Sequence, residues 1–121
     1  ILDGEDKVGR VIARPFLGAT AETFKRTENR HDYAVPPPTD NLLPLLKDNN
    51  LDVVCIGKIA SIYDSIGVTQ DVPAKNNEQV VDVTIKALGD DTRGLIFSNL
   101  VDFDMLYGHR RDVEGYARAL E

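Results

Sequence analysis

The sequence predicts an α/β fold with a parallel sheet and crossover helices. Two runs, LDVVCIG and TRGLIFSNLV, are almost wholly apolar and rich in β-branched residues, which is typical of strands buried on both faces. Between them, EQVVDVTIKALG has the period of a helix, with an apolar stripe formed by Val80, Val83, Ile85 and Leu88. A helix between two buried strands indicates a parallel crossover unit.

Residues 1–36 are expected to form a separate part of the chain that contains a basic strand. The segment KVGRVIARPF, residues 7–16, predicts a strand whose alternation places Arg10, Ile12 and Arg14 on one face. Residues 17–33 mix turn formers with charges and have little period, so we expect a loop there. Pro36–Pro38 stiffen the backbone and predict a boundary, with residues 37–121 forming the second domain.

Two more helices are expected in that second domain. TDNLLPLLKDNN predicts a short helix with Thr39 as its N-cap and Pro44 in its first turns. DVEGYARALE predicts a last helix with Asp112 as its N-cap and an apolar stripe of Val113, Tyr116, Ala117 and Leu120. The chain starts at Ile1 without a methionine and stops inside this helix, so we expect a piece of a longer protein.

The composition of the chain makes several classes of function improbable, among them nucleic-acid and membrane binding. With 42% hydrophobic and 28% charged residues the chain is globular in composition. A net charge of −6 gives no general attraction to nucleic acids or anionic membranes. The sequence shows neither a signal peptide nor an apolar run near the roughly 18 residues of a membrane span. Its single cysteine, Cys55, lies in an apolar strand, which indicates a buried reduced thiol and a cytoplasmic protein.

Reactive groups of open parallel sheets gather beyond the carboxyl ends of the strands, here around Gly57–Lys58 and around Asp102–His109. A carboxylate and an imidazole, such as Asp104 and His109, suit borderline divalent ions such as manganese or zinc. On a regular helix these two residues would point about 140° apart, so a shared ion requires a bend, which Gly108 would permit. The alternative is that Asp104 is a turn former, and Asp102 is expected to be a cap or turn residue.

Basic side chains are the other candidates for chemistry. Lys58 follows a glycine at a strand end, where it could hold an anion or simply be solvated. Arg10, inside a strand, would bind a carboxylate or phosphate, or else lie on an exposed face, and Arg26 is most simply an exposed loop charge. The chain contains neither G-x-x-x-x-G-K-[ST] nor G-x-S-x-G, so neither a Walker-type nucleotide site nor a nucleophile elbow is indicated.

Four strings occur in the order found in the phosphopentomutase family, which the chain resembles from Val8 onward: VGRVIARPF, RTENRHDYA, IGKIASIYDSIGVT and NLVDFDMLYGHRRDVEGYARAL. The family consists of cytoplasmic isomerases of the alkaline phosphatase superfamily. They interconvert the 1-phosphates and 5-phosphates of ribose and deoxyribose. Their α/β core holds two divalent ions, manganese most often and magnesium otherwise, and carries an inserted cap domain.

The resemblance implies that Asp104 and His109 are metal ligands and that a sugar phosphate is bound by Arg10, Ile12, Arg26 and Lys58. It also implies that residues 1–36 end the cap domain and that residues 37–121 are part of the core. The phosphorylated threonine and the remaining ligands of the family lie in segments that this chain does not contain. We therefore expect no catalytic residue in the chain, no activity of the chain alone, and a site completed by the rest of the same polypeptide.

Two alternatives remain open at this point. The parent protein could be another mutase or a phosphatase of the alkaline phosphatase superfamily, since these enzymes share the metal chemistry. The chain could also be a non-catalytic module that binds an anion or a protein partner through its basic strand.

Overall fold

The computed structural model describes residues 4–27, 29 and 31–121, and for Arg26 and Asp32 it describes the backbone only. The chain divides into two compact units, Ile1–Pro36 and Pro37–Glu121. The boundary lies inside the proline run. Their assignment to a cap and a core stays a prediction.

The second unit contains a parallel sheet of three strands. The central strand β5 is Asp52–Ile56, and its neighbours are β6, Gln70–Val72, and β7, Gly94–Ser98. Both neighbours run parallel to β5, which confirms the predicted α/β class. The short β6 was not predicted, because Gln70-Asp71-Val72 has no apolar run.

The core lies on both faces of β5. Val53 and Cys55 point into a cluster with α1, Leu42–Asp48, and α2, Ile59–Ile62. The alternate residues Val54 and Ile56 pack against α3, Asn77–Gly89. Four of the five β5 residues are buried, as expected for a strand covered on two sides.

The helix α3 forms where expected, but the predicted stripe is partly wrong. Val80 and Ala87 are buried, whereas Ile85 is 63% exposed and Leu88 is 69% exposed. The face toward the sheet instead includes Thr84, whose Oγ1 donates to the Val80 carbonyl at 2.6 Å and lies 2.7 Å from Ser98 Oγ. A threonine satisfied in this way can occupy a position where the apolar pattern would place an aliphatic residue.

The helix α1 begins two residues later than predicted. Its N-cap is Asn41 and not Thr39, because the Asn41 Oδ1 accepts a hydrogen bond from the Leu43 amide at 3.0 Å. The Asn41 Nδ2 also donates to the Pro38 carbonyl at 2.6 Å, which ties the cap to the proline run. Pro44 falls in the first turn, as predicted.

Two further elements complete the second unit. A π-helical turn covers Phe103–Gly108, and α4 covers Val113–Leu120. Asp112 is the N-cap of α4, as predicted, since its Oδ1 accepts from the Gly115 amide at 2.8 Å. Among the described residues, no helix combines the length and the apolar character needed to cross a membrane.

The first unit contains a 3₁₀ turn at Gly4–Asp6 and two antiparallel strand pairs. Strand β1, Arg10–Ala13, pairs with β4, His31–Ala34, and strand β2, Phe16–Leu17, pairs with β3, Lys25–Arg26. The prediction of a loop over residues 17–33 is therefore wrong for Leu17, Lys25–Arg26 and residues 31–33, which lie in strands, and it holds for residues 18–24. Strands of two residues are too short to show a period, and the pairing depends on non-local partners.

Candidate metal centre

The turn Phe103–Gly108 follows β7 at the carboxyl edge of the sheet. Its hydrogen bonds join residues five apart, as in the bond of 3.1 Å from the His109 amide to the Asp104 carbonyl. A π-helical turn of this kind places residue i above residue i+5, and such turns are frequent at functional sites. The local backbone therefore aligns two residues that an α-helix would separate.

Asp104 and His109 converge as a result. The Asp104 Oδ1 and the His109 Nε2 are 3.2 Å apart. The predicted departure from a regular helix takes the form of this π-helical turn, without a positive φ at Gly108. A Cβ at Gly108 would lie 2.9 Å from the Phe103 carbonyl oxygen, so the glycine is needed for clearance inside the turn.

The two donor atoms fit a shared divalent ion. Bonds of about 2.1 Å from one ion place neighbouring ligand atoms about 3.0 Å apart in octahedral and about 3.4 Å apart in tetrahedral geometry. The observed 3.2 Å lies between these values. The side chains are 70% and 77% exposed, so an ion can reach both. Within the part of the chain that is described, three or more His, Cys, Asp or Glu side chains do not cluster as a metal site.

Asp102, directly before the turn, is bound to the first residue of α3. Its Oδ2 accepts from the Asn77 amide at 2.8 Å, while its own amide donates to the Asn77 Oδ1 at 2.9 Å. Asp102 lies at the N-cap position of the turn Phe103–Gly108 but makes no side-chain capping bond to it, and its carboxylate instead binds the first amide of α3, whose N-cap is Asn76. Asn77 was missed, because spacing along the chain gives no sign of a contact across 25 positions.

Lys58 reaches the same turn from the end of β5. Its Nζ lies 2.8 Å from the Met105 Sδ. Gly57 allows the two strand ends to approach, because it has a φ of 87° and a Cβ there would lie 2.9 Å from the Asn99 carbonyl oxygen. The two strand ends selected from the sequence are thus in contact. Met105 was missed, since a methionine in an apolar context carries no chemical signal.

The other predicted site residues lie in the first unit. Arg10 and Ile12 belong to β1, where Arg10 is exposed and Ile12 is half-buried. Arg26 belongs to β3, and its side chain is outside the described part of the chain. Their role in a sugar-phosphate pocket stays a prediction.

Cys55 takes no part in the site. It is fully buried in the centre of β5. Burial, and to a lesser extent the negative charge of Asp71 on β6, raise the pKa of the Cys55 thiol. It is therefore a protonated core residue, in agreement with the sequence prediction.

Comparison with known proteins decides the family. A family profile described as the Metalloenzyme superfamily matches residues 15–121. The chain belongs to this superfamily. Because the match covers both the parallel sheet and the turn Phe103–Gly108, the donor pair Asp104 and His109 lies inside the part that this chain shares with the superfamily.

Three curated relatives show how similar this superfamily member is to individual proteins. A phosphopentomutase of Desulfitobacterium hafniense is 53% identical over 121 residues, which are 100% of this chain and 31% of the relative. A phosphopentomutase of Clostridium acetobutylicum is 53% identical over 94% of this chain and 29% of its own length. One from Legionella pneumophila is 54% identical over 95% of this chain and 28% of its own length. The chain thus spans about 30% of the length of these curated relatives.

Proposed function

We propose that this chain forms part of a phosphopentomutase, an enzyme that moves a phosphoryl group between the 1- and 5-positions of ribose or deoxyribose. The observation that carries the proposal is the pairing of Asp104 with His109 at 3.2 Å. It is supported by the identity of 50–54% to proteins named phosphopentomutase. Manganese is the proposed ion, with magnesium as the other candidate, and the cytoplasm is the proposed location.

Asp104 and His109 would hold one of two divalent ions through the Asp104 carboxylate and the neutral His109 imidazole. Ligation requires the deprotonated form of both groups, so metal binding releases protons and weakens as the pH falls. When bound, the ions neutralise phosphoryl oxygens and favour in-line transfer. The remaining ligands and the phosphorylated threonine are proposed to come from other segments of the same polypeptide.

Lys58 would bind the phosphate of the substrate as a point charge. The contact of 2.8 Å with Met105 leaves its ammonium protons beside the ligand-bearing turn, where a phosphate between the metal and the ammonium would be held from two sides. Arg10 and Arg26 would add guanidinium contacts to the sugar phosphate, and Ile12 would contact the sugar ring. These four residues would orient the substrate.

The test uses the protein as its gene encodes it. We expect interconversion of ribose 1-phosphate and ribose 5-phosphate in the presence of Mn²⁺, and loss of at least about 100-fold in kcat when Asp104→Asn or His109→Gln removes a ligand. His31→Gln is the matched control, because His31 is the other histidine of the chain and stacks on Tyr33 in the first unit. Its activity should equal that of the unmodified protein.

Product analysis separates the proposal from its alternatives. Release of inorganic phosphate would identify a phosphatase, and turnover of glycerate phosphates alone would identify a different mutase. Arg10→Ala should raise KM for ribose 5-phosphate. If that variant keeps both its substrate affinity and its transfer activity, Arg10 is not part of the substrate pocket, and this chain is better described as a non-catalytic binding module of the protein. We expect the 121-residue chain by itself to be inactive and to bind Mn²⁺ weakly, because two ligands are too few for a tight site.

A further inference from the structure

We propose that Asp102 and Asn77 act as a pair of positioning residues that hold the Asp104 carboxylate in place for the metal. This inference rests on the proposed function, because it assumes that Asp104 is a ligand. Neither residue needs to contact the ion. Their task would be to fix the start of the turn Phe103–Gly108 against the helix α3.

The hydrogen bonds of the pair are reciprocal. Asp102 accepts from the Asn77 backbone with its side chain and donates to the Asn77 side chain with its backbone, at 2.8 Å and 2.9 Å. Each residue therefore uses one backbone and one side-chain group. Two bonds in this arrangement fix orientation as well as distance, so the backbone at Asp102 can neither rotate nor slide along α3 without breaking one of them.

Both sides of the pair are anchored in the core. On one side Val101 is 1% exposed and immediately precedes Asp102. On the other side α3 packs on the sheet through Val80, which is 1% exposed and lies one turn after Asn77. The Asp102 carboxylate also lies at the N-terminus of α3, where the helix dipole favours a negative charge.

The exposed part of the turn needs such an anchor. Asp104 follows Asp102 by two residues, and its side chain is 70% exposed, so the protein surface does not itself restrain the carboxylate. Rotation of the backbone at Asp102 would carry Asp104 away from His109, whose position is set by the opposite end of the turn. Removal of supporting groups of this kind typically weakens metal binding by about 10–100-fold.

The experiment measures the dissociation constant for Mn²⁺ by the electron paramagnetic resonance signal of the free ion, in the protein as its gene encodes it. Asn77→Ala removes one acceptor and leaves Asp102 intact, and Asp102→Ala removes the other. We expect each to weaken Mn²⁺ binding by about 10–100-fold. The double variant should be no weaker than the poorer single variant, because each change breaks the same unit.

Two further variants separate positioning from stability. Asp102→Asn keeps an oxygen acceptor and the backbone donor, so it should restore most of the affinity. Asn76→Ala removes the N-cap of α3, whose Oδ1 accepts from the Gln79 amide at 2.9 Å, without touching the turn. It should lower the melting temperature and leave Mn²⁺ affinity unchanged. Saturating Mn²⁺ should restore the kcat of Asn77→Ala.

The outcomes distinguish this inference from the proposed function. If Asp104→Ala and His109→Ala leave Mn²⁺ affinity unchanged, the metal assignment fails and the positioning role fails with it. If those two variants lose the ion but Asn77→Ala and Asp102→Ala bind it normally, only the positioning role is overturned. Equal weakening by Asn76→Ala would also overturn it, since the effect would then come from the stability of α3 alone.

Discussion

The two units of the chain differ in how their strands are held. In Pro37–Glu121 the central strand β5 is covered on both faces by helices, and Val53, Cys55 and Ile56 are fully buried. In Ile1–Pro36 the strands form two antiparallel pairs, and none of the described residues there is buried. Phe16, Leu17, Phe24 and Tyr33 are all more than half exposed.

This difference shows where the stability of the chain resides. Removing apolar surface from water contributes about 25 cal/mol per Å², so a strand covered on two sides gains far more than a strand pair in water. An isolated two-stranded pair is marginal by itself. The second unit should therefore dominate the free energy of unfolding, while residues 4–36 contribute little within this chain.

The largest expected effect tests that difference directly. Ile56→Ala empties a site in the centre of the second unit and should lower the free energy of unfolding by about 2–5 kcal/mol. Leu17→Ala is the matched control, since Leu17 is also aliphatic and lies in a strand but is 69% exposed. It should change stability by less than about 0.5 kcal/mol. Urea denaturation of both variants measures the two values.

Equal losses from the two substitutions would contradict the comparison. They would mean that Leu17 is covered in solution and that the first unit has a core of its own. A loss confined to Ile56→Ala would support a single core built around β5.

The same difference decides how much of the fold could be predicted. The strands β5 and β7 and the helix α3 were predicted because burial on both faces leaves long apolar runs in the sequence. The strands β2 and β3 were missed, since each consists of two residues and leaves no long apolar run in the sequence. Thr39 was predicted as the cap of α1 because threonine is common at that position. The cap is Asn41, because its side chain both accepts from the Leu43 amide and donates to the Pro38 carbonyl.

The candidate site was predictable as a set of residue types but not as a geometry. Asp104 and His109 could be selected because they follow a buried strand. Their contact depends on backbone hydrogen bonds between residues five apart. In a regular α-helix the two side chains would point in different directions. The partners Asn77 and Met105 lie 25 and 47 positions from the residues they contact, and no local pattern connects them.

The second prediction concerns the turn Phe103–Gly108, which is mostly exposed although it follows the buried sheet of the second unit. Gly108→Ala places a Cβ 2.9 Å from the Phe103 carbonyl oxygen and should lower stability by about 1–3 kcal/mol. It should also separate Asp104 from His109 and weaken Mn²⁺ binding at least about tenfold. Thermal melting and metal titration measure the two effects.

Gly89→Ala is the control for that substitution. Gly89 ends α3, and a Cβ there meets no atom within 4 Å. The change should stabilise the protein by up to about 1 kcal/mol and leave the metal affinity unaltered. If Gly108→Ala behaves like Gly89→Ala, the turn adapts freely, and its π-helical form does not determine the spacing of the two ligands.

The smallest expected effect is a change of the free energy of unfolding with pH, caused by the Cys55 thiol in the buried strand β5. The pKa of the Cys55 thiol is raised in the folded chain, first by burial and then by Asp71, while the unfolded thiol titrates at about 8.5. The folded state therefore keeps its proton when the unfolded state loses it, and stability falls as the pH rises above about 8.5. At pH 7 both states hold the proton and the effect is absent.

Urea denaturation between pH 7 and pH 10 measures this fall, with Cys55→Ala as the control for lysine and tyrosine groups that titrate in the same range. The stability difference between the unmodified chain and Cys55→Ala should shrink as the pH rises, because only the unmodified chain carries the thiol. Parallel curves would mean that the folded thiol ionises as readily as the unfolded one. The central strand would then be as accessible to water as the strand pairs of the first unit, and the contrast between the two units would lose its physical basis.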